Sequence, residues 1–505
     1  MTQTWKKIAT VSIAAVMLTG ALAGCGAKTS SIDHENPVLK VQTKAFNADS
    51  AANDSPVVQA LNEYLGATLE FSWVPSTSYD EKVTTAMAAG EYPHIMLVGT
   101  RSSSVIQASR DDVFWDLTDI LTNSEKYPNL AQTNPVINHN ISVDGHVYGV
   151  YRARELGRAG VTIRKDWLDK LGLETPTTID ELSNVLRAFT EDDPDGNGQK
   201  DTYGMIVTDY LDGPLNNLAI WMGAPNGWGL DENGELKPAF MFDEWKDTLK
   251  LMREWYEAGY INSDMATYSS DKWNEQFLSG QAGVIIDVAD RARRVAQNIA
   301  DLNPNAVVDV FGYVKKDANS DPRTLPTTGY DGYYVFPKSS VVTEEDLDLV
   351  LTVMDKANDA EAENLMNYGI EGVHYTLDEE GYAVKNTDEN LVKEYSDLNQ
   401  FAMGIVGNGL TTKYTVDVAK KTEQVYEENR QWVVSNPVAP YISDTYATKG
   451  PQLDAIMAEA NTKFIVGQIT EEEWDAQVQR WLSQGGQGVI DDYNESYKAD
   501  DSVKK

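Results

Sequence analysis

The sequence predicts an α/β protein of more than one domain, built on sheets of largely parallel strands with helices on both faces. Three observations carry this. Between residues 38 and 98 strand-like and helix-like segments alternate, from "VLKVQTKAF" through "SPVVQALNEYLGATLEFSWV" to "YDEKVTTAMAAGEYPHIMLVG". Strand, helix, strand, helix, strand is the order of a covered parallel sheet. The 505 residues suffice for two to four domains at roughly 100–200 residues each. A hydrophobic content of 42% is that of a globular chain able to bury a sizeable core.

The amino end reads as a targeting segment. Lys6 and Lys7 give a positive start, and "IATVSIAAVMLTGALA" (8–23) is an apolar run too short and too rich in small residues to be a good membrane-spanning helix. It ends in "LAGC", Leu22 to Cys25, which looks like a bacterial lipobox. That likeness implies cleavage before Cys25, leaving 1–24 as a lipoprotein signal peptide and acyl chains on the Cys25 sulfur. Two or more acyl chains exceed what stable anchoring needs. The alternative is a stray thiol after an ordinary signal peptide. Residues 25–35, "CGAKTSSIDHE", are small and polar and read as a flexible tether. No later stretch is long and apolar enough to span a bilayer.

Each following element has a local reason. Gly66 and Gly90 stop the first two helices, and Pro93 precedes the apolar strand at 95–98. Ligands on such sheets bind at the carboxyl ends of the strands, which marks Trp73 and Arg101. "VDGHVYGVYRAREL" turns on Asp144-Gly145 as a hairpin. Thr178 and Glu181 form a capping box for a helix whose buried face is Ile179, Leu182, Leu186 and Phe189. Trp273 and Phe277, and then Trp474, Val478, Trp481 and Leu482, mark core faces of two later helices. The last residues, 496–505, read as a polar tail.

The loop "DDPDGNGQKDTYG" (192–204) is the densest polar motif. Asp193, Asp195, Asn197, Gln199 (through its carbonyl) and Asp201 stand at alternate positions, with Gly198 at the sharp turn. Hard oxygens so spaced suit Ca²⁺. The glutamate that usually closes such a loop is missing, because Gly204 stands in its place. A solvated Asx/Gly turn is the alternative reading. A saturated calcium would be structural, since it lacks the open position that Lewis-acid chemistry needs. The five histidines show no paired spacing, so zinc or iron is not expected.

Several segments together resemble one family: the lipobox, "AAGEYPHIML", "DGHVYGV", "IRKDWLDKLGLETPTTIDEL", "DPDGNGQKDTYG", "FLSGQAGVIID", "YGIEGVHY" and "KFIVGQITEEEWDAQVQRWLSQG". In this order they resemble the extracellular solute-binding lipoproteins of bacterial carbohydrate ABC importers, in the large LplA-like oligosaccharide-binding branch. One departure is His94, where the family often has Asp. The resemblance implies a two-lobe periplasmic-binding-protein-like clamp. Each lobe is a twisted mixed sheet flanked by helices, and the chain crosses between lobes several times. It maps the N-terminal lobe to 36–157 and 306–342 and the C-terminal lobe to 158–305 and 343–495. It also implies an oligosaccharide captured between the lobes, delivery to ABC permease subunits, a monomer, and calcium in the 193–201 loop.

Sugars need flat apolar platforms and planar polar groups. Loop position selects Trp221, Asn226 and Trp228 in "WMGAPNGWG" and Tyr330 and Asp331 in "TTGYDGYYVF". Asp287 and Arg291 stand at a strand end whose counterpart in sugar-binding relatives faces the cleft. Arg152 and Arg154 stand near the first crossover. Glu371, His374 and Tyr375 surround paired glycines, where a structural ion pair is an equal reading. Lys and Arg number 42 against 78 Asp and Glu, so the net charge of −36 excludes nucleic acid and anionic lipid surfaces as partners. A secreted carbohydrate-active enzyme and a peptide-binding lipoprotein are the alternatives. With so many acids, a carboxylate pair proves nothing about glycoside hydrolysis. No P-loop or G-x-S-x-G elbow is present.

Overall fold

The structure, a computed structural model, describes residues 30–47, 49–99, 101–412 and 417–500. Cys25, the signal peptide and most of the tether lie outside the described residues. Two mixed sheets organise the chain. The strands of these two sheets, in chain order, are β1 (Val38–Ala45), β2 (Thr68–Pro75), β3 (Ile95–Val98), β4 (Gly149–Ala153), β5 (Ala159–Arg164), β6 (Tyr203–Met205), β7 (Ala282–Val288), β8 (Val308–Phe311) and β9 (Tyr330–Val335). The first sheet runs β2-β1-β3-β9-β4 and the second β8-β5-β7-β6. β1 pairs in parallel with β2 and β3, as the alternating pattern predicts. β9 returns antiparallel between β3 and β4, and β5 is antiparallel to both β7 and β8. Ile95, Met96, Leu97 and Val98 are all fully buried: β1 and β9 flank the two edges of β3, and its side chains join the first lobe's core.

Local rules hold at several element ends. Ser55 caps the helix Pro56–Leu65 by accepting from the Val58 N–H, and Gly66 ends it in the left-handed region that a Cβ would strain. Asp144 and Gly145 both take positive φ in the expected hairpin turn. The capping box at Thr178 is only half made. Thr178 accepts from the Glu181 N–H, but the Glu181 carboxylate binds the Thr177 N–H and hydroxyl instead of returning to Thr178. The expected tail is also shorter, since the last helix, Gln487–Ala499, continues through residues 496 to 499.

The expected lobe boundaries need correction. β8, expected in the N-terminal lobe within 306–342, pairs with β5 of the second sheet, so the chain rejoins the first sheet only at β9. Helices Glu344–Lys356 and Ala360–Tyr368, expected in the C-terminal lobe, bury Leu347, Val350, Leu351, Met354 and Met366 in the core shared with Leu39 and Leu97. That core continues to Phe401 and Met403. The helices after it, Asp417–Arg430 and Asp444–Ile465 among them, bury their faces on the second sheet's side. The chain therefore crosses after β4, between β8 and β9, and after Met403. Membership follows from which apolar face an element can bury, and chain order does not dictate that. Among the described residues no helix is long and apolar enough to cross a membrane.

Candidate functional site

The carboxyl ends of β3 and β4 and the start of β9 bring the first lobe to the second. Arg101, in the loop after β3, donates to the carbonyls of Ser142 at 3.1 Å and, across the seam, of Ala439 and Pro440. Ser103 donates to the Ala447 carbonyl. Arg110 clamps Asp144 in its own lobe and Asp444 in the other, each at 2.8 Å. The lobes therefore meet along the helix that starts at Asp444.

Beside the β4–β5 crossover lies a cavity of about 300 Å³ lined by Arg152, Arg154, Arg158, Asp290, Arg293 and Asp331. Arg152 is buried. It donates to the Asp331 carbonyl at 3.3 Å and to Gln400 Oε1 at 2.8 Å, with the Asp331 carboxylate 3.6 Å away. Arg154 pairs with the same carboxylate. Burial alone would raise the Asp331 pKa, but the Arg154 and Arg152 charges outweigh it and hold the carboxyl below its ordinary range. Across the crossover Arg158 grips Asp290 with two bonds, at 2.8 and 3.1 Å, and the Tyr426 hydroxyl adds a third at 3.2 Å.

The second lobe contributes a wall of aromatic rings and carboxylates. Arg291 binds Asp287 and Asn274, and its guanidinium lies 4.3 Å from the centre of the Trp273 ring. Half-exposed Tyr210 packs edge-on against the same ring. Asp212 opens the helix Asp212–Met222, and Asp454 accepts a 2.7 Å bond from the exposed Tyr446 hydroxyl. Desolvation raises the pKa of both carboxyls, and the charge of Asp212 raises that of Asp454 further. The Tyr493 hydroxyl, pushed up to about 12 chiefly by burial, feels both Arg101 and Asp454, which ties this wall to the seam. Arg101 also acts on Tyr330, at the start of β9.

The sequence-selected residues divide. Arg101, Arg152, Arg154, Tyr330 and Asp331 come together in the first lobe, and Asp287 with Arg291 stands in the opposing wall. Four candidates are corrected. Trp221 is 1% exposed inside the second core, because its helix is apolar nearly all round. His374 is fully buried and bonded to Glu394 at 3.0 Å, and Tyr375 is buried beside Tyr368. Glu371 is exposed, but it lines a separate pocket of the first lobe with Tyr64 and Glu361. Asn226 donates to the Val434 carbonyl, which makes it a loop tie, and Trp228 is half-buried edge-on against Tyr493. Trp73 stacks on Phe71 at 4.9 Å and donates to the Ala51 carbonyl. Trp273 is core as read, 3% exposed, and sequence reasoning did not single out Tyr210, Asp212, Tyr446, Asp454 or Tyr493. No motif marks them, since they meet only through folding.

The 193–201 loop folds as a chain of Asx turns. Asp193 accepts from the Gly196 and Gly198 N–H groups, Asp195 from Asn197 N–H, and Asn197 Oδ1 from Gln199 N–H. The Asn197 amide nitrogen sits among carboxylate oxygens of Asp195 and Asp201, at 2.8 to 3.2 Å. Asp193, Gly196 and Gly198 take positive φ, so the backbone doubles back twice within a few residues. No group of three or more His, Cys, Asp or Glu side chains is arranged to hold a metal ion among the described residues.

Comparison with known proteins agrees with this architecture. A model of the bacterial extracellular solute-binding protein family matches residues 57–370. Lipoprotein LipO of Bacillus subtilis (strain 168) is 37% identical over 508 residues, covering 98% of each chain. The polygalacturonan/rhamnogalacturonan-binding protein YtcQ of the same organism is 33% identical, covering 98% of this chain and 99% of its own. The Streptococcus pneumoniae ABC-transporter substrate-binding protein FusA, solved as an EF-hand mutant in complex with fructo-nystose, superposes with a TM-score of 0.67 at 18% identity. That superposition covers 93% of this chain and 100% of the other. The fold is thus the two-lobe α/β fold of solute-binding proteins, and the family's work is binding a solute rather than converting it. The chain belongs to the bacterial extracellular solute-binding proteins.

Proposed function

We propose that this protein captures an oligosaccharide between its lobes and delivers it to the permease of an ABC importer. The observation that carries the reading is the seam itself. Accessible rings of Tyr210, Tyr330 and Tyr446 stand beside ion-paired arginines and carboxylates contributed by both lobes. Rings offer platforms for the C–H faces of sugars, and fixed charged groups orient hydroxyls. Ligand that touches both lobes favours the closed arrangement by its differential affinity for it. FusA, solved with fructo-nystose, and YtcQ, a polygalacturonan/rhamnogalacturonan-binding protein, support a saccharide as the solute class.

The protein works as a monomer held to the outer face of the cell membrane by lipid on Cys25. The "LAGC" motif and the lipoprotein relative support that anchor. Calcium in the loop of Asp193, Asp195, Asn197, Gln199 and Asp201 stiffens the second lobe and takes no part in chemistry. The donor set fits, because the Asn197 amide nitrogen stands where a cation would satisfy the same carboxylates. The existence of an EF-hand in FusA supports the same assignment.

A thermal-shift screen against plant and host glycans, followed by calorimetry on the hits, tests the function. A sugar at 100 times its Kd stabilises the folded protein by about 2.7 kcal/mol, readily seen as a raised melting temperature. Peptides that bind where every glycan fails would overturn the reading.

A further inference from the structure

The cavity beside the β4–β5 crossover carries a surplus of positive charge, in a chain whose net charge is −36. Its lining holds four guanidinium groups, those of Arg152, Arg154, Arg158 and Arg293, against the three carboxylates of Glu155, Asp290 and Asp331. The carboxylates do not balance them. Asp331 is shared by Arg152 and Arg154. Asp290 serves both Arg158 and Arg294, and Glu155 is held by Arg430; neither Arg294 nor Arg430 belongs to the lining. Arg293 reaches Glu423, also outside it, at 3.2 Å.

The surplus falls on Arg152. Its side chain is only 10% exposed, and the nearest carboxylate oxygen, 3.6 Å away, already pairs with Arg154. Its two terminal nitrogens donate to neutral acceptors, the Asp331 carbonyl and Gln400 Oε1. The buried Nε–H has no acceptor among the described residues. A desolvated guanidinium with half a carboxylate and an unused N–H is unfavourable unless an anion completes it. Arg154 beside it bonds Asp331 through one terminal nitrogen, which leaves the rest of its fork as donors.

Both lobes build the cavity. Arg152 and Arg154 flank the end of β4, and Asp331 lies in β9. Arg158 immediately precedes β5, and Asp290 and Arg293 stand on the helix Asp290–Leu302. Arg158 binds Asp290 through Nε and Nη2, so its Nη1 remains as a donor on the second lobe's side. A volume of about 300 Å³ is at the low end for ligand sites, which suits one sugar unit with its substituent rather than a chain.

We propose that this cavity takes the carboxylate of an acidic sugar, so that the solute is a uronate-bearing oligosaccharide whose charged unit sits at the crossover. The inference rests on the saccharide reading given above. Arg152 and Arg154 bind the carboxylate, Arg158 meets it from the second lobe, and Asp331 and Asp290 hold the guanidinium planes in place. Planar forks match a carboxylate with two parallel bonds. An anion gripped from both sides favours the closed arrangement of the lobes. The acidic surface outside gives no general attraction to anions, so a uronate that binds does so at a local site.

Calorimetry on the full chain at pH 7 tests this with three sets of short oligomers. The first holds oligogalacturonides and oligomannuronates, the second the same oligomers fully methyl-esterified, and the third neutral galacto-, manno- and xylo-oligomers. At least one uronate should bind about 100-fold more tightly than its methyl ester and than any neutral oligomer, the scale of a lost pair of charge-assisted bonds. Arg154→Gln should weaken that uronate about tenfold or more. The variant strands no charge, because Asp331 keeps Arg152. Arg154→Lys, which keeps the charge without the fork, should weaken it as well, and it replaces the Gln variant if that one melts early. A neutral oligomer or a methyl ester bound as tightly as every uronate overturns the inference and leaves the oligosaccharide reading intact. Unchanged uronate affinity in the folded Arg154 variants removes the carboxylate from this cavity and overturns it too. No binding by any set overturns both readings.

Discussion

Replacing Asp331 with Asn probes the charge cluster at the interlobe crossover. The side chain keeps its size, and the backbone carbonyl still accepts from Arg152, so only the charge is lost. At the observed 3.6 Å, an effective dielectric of about 20 gives a gross attraction of roughly 5 kcal/mol between Asp331 and Arg152 alone. Desolvating both partners offsets part of this. Removing one member of a buried pair costs about 3–5 kcal/mol, because the remaining charge is stranded. Asp331 is a quarter exposed, which points to the lower end, about 3 kcal/mol. For a lobe of roughly 200 residues that is a fall of about 6–12 °C in its melting temperature.

The pH dependence has a definite sign. The folded carboxyl sits below its ordinary pKa, so its contribution is complete above the unfolded value of about 3.9 and is lost as pH falls through the folded value. Calorimetric melts of wild type and variant should differ by a constant amount from pH 7 to 5. The gap should close below about pH 4. A gap under about 1 kcal/mol at pH 7, the range of exposed pairs, or one that persists undiminished at pH 2.5, would refute a desolvated pair.

Gly283→Ala should destabilise the second lobe by about 1–3 kcal/mol, the usual range for overpacking. A Cβ there would stand 2.2 Å from the Phe189 ring and 2.8 Å from Trp167, both locked in the core, so an unchanged melting curve would disprove that packing. Dialysis against EDTA followed by calcium should raise the melting temperature, and Asp195→Ala should abolish that response. A curve indifferent to calcium would show that the loop is an Asx turn only.

Much of the first sheet was legible in the sequence, because β1, β2 and β3 are local strand-helix repeats with glycine stops at Gly66 and Gly90. The antiparallel insertion of β9 was not. Its partners β3 and β4 lie more than 170 residues away, and nothing local in "YDGYYV" states which edges it will join. Helices Glu344–Lys356 and Ala360–Tyr368 join the other lobe for the same reason. An amphipathic face says that something covers it, without saying what. At the site, glycine-framed loops and strand ends led to Tyr330, Asp331, Asp287 and Arg291, which the structure places beside the interlobe seam. Trp221 misled because its Gly/Pro-rich flank reads as loop, whereas it lies within the helix Asp212–Met222.

The sequence alone determined the local grammar of this protein. Its helix caps, its turns, the alternate oxygens of the 193–201 loop and the "LAGC" motif each depend on residues within a few positions of one another. The ordered set of such motifs was enough to reveal the family. Only the tertiary structure decided which arginines are already paired, and with which acids, and which tryptophans are core. Pairing and desolvation depend on what packs across from a side chain, and that is decided by elements hundreds of residues away.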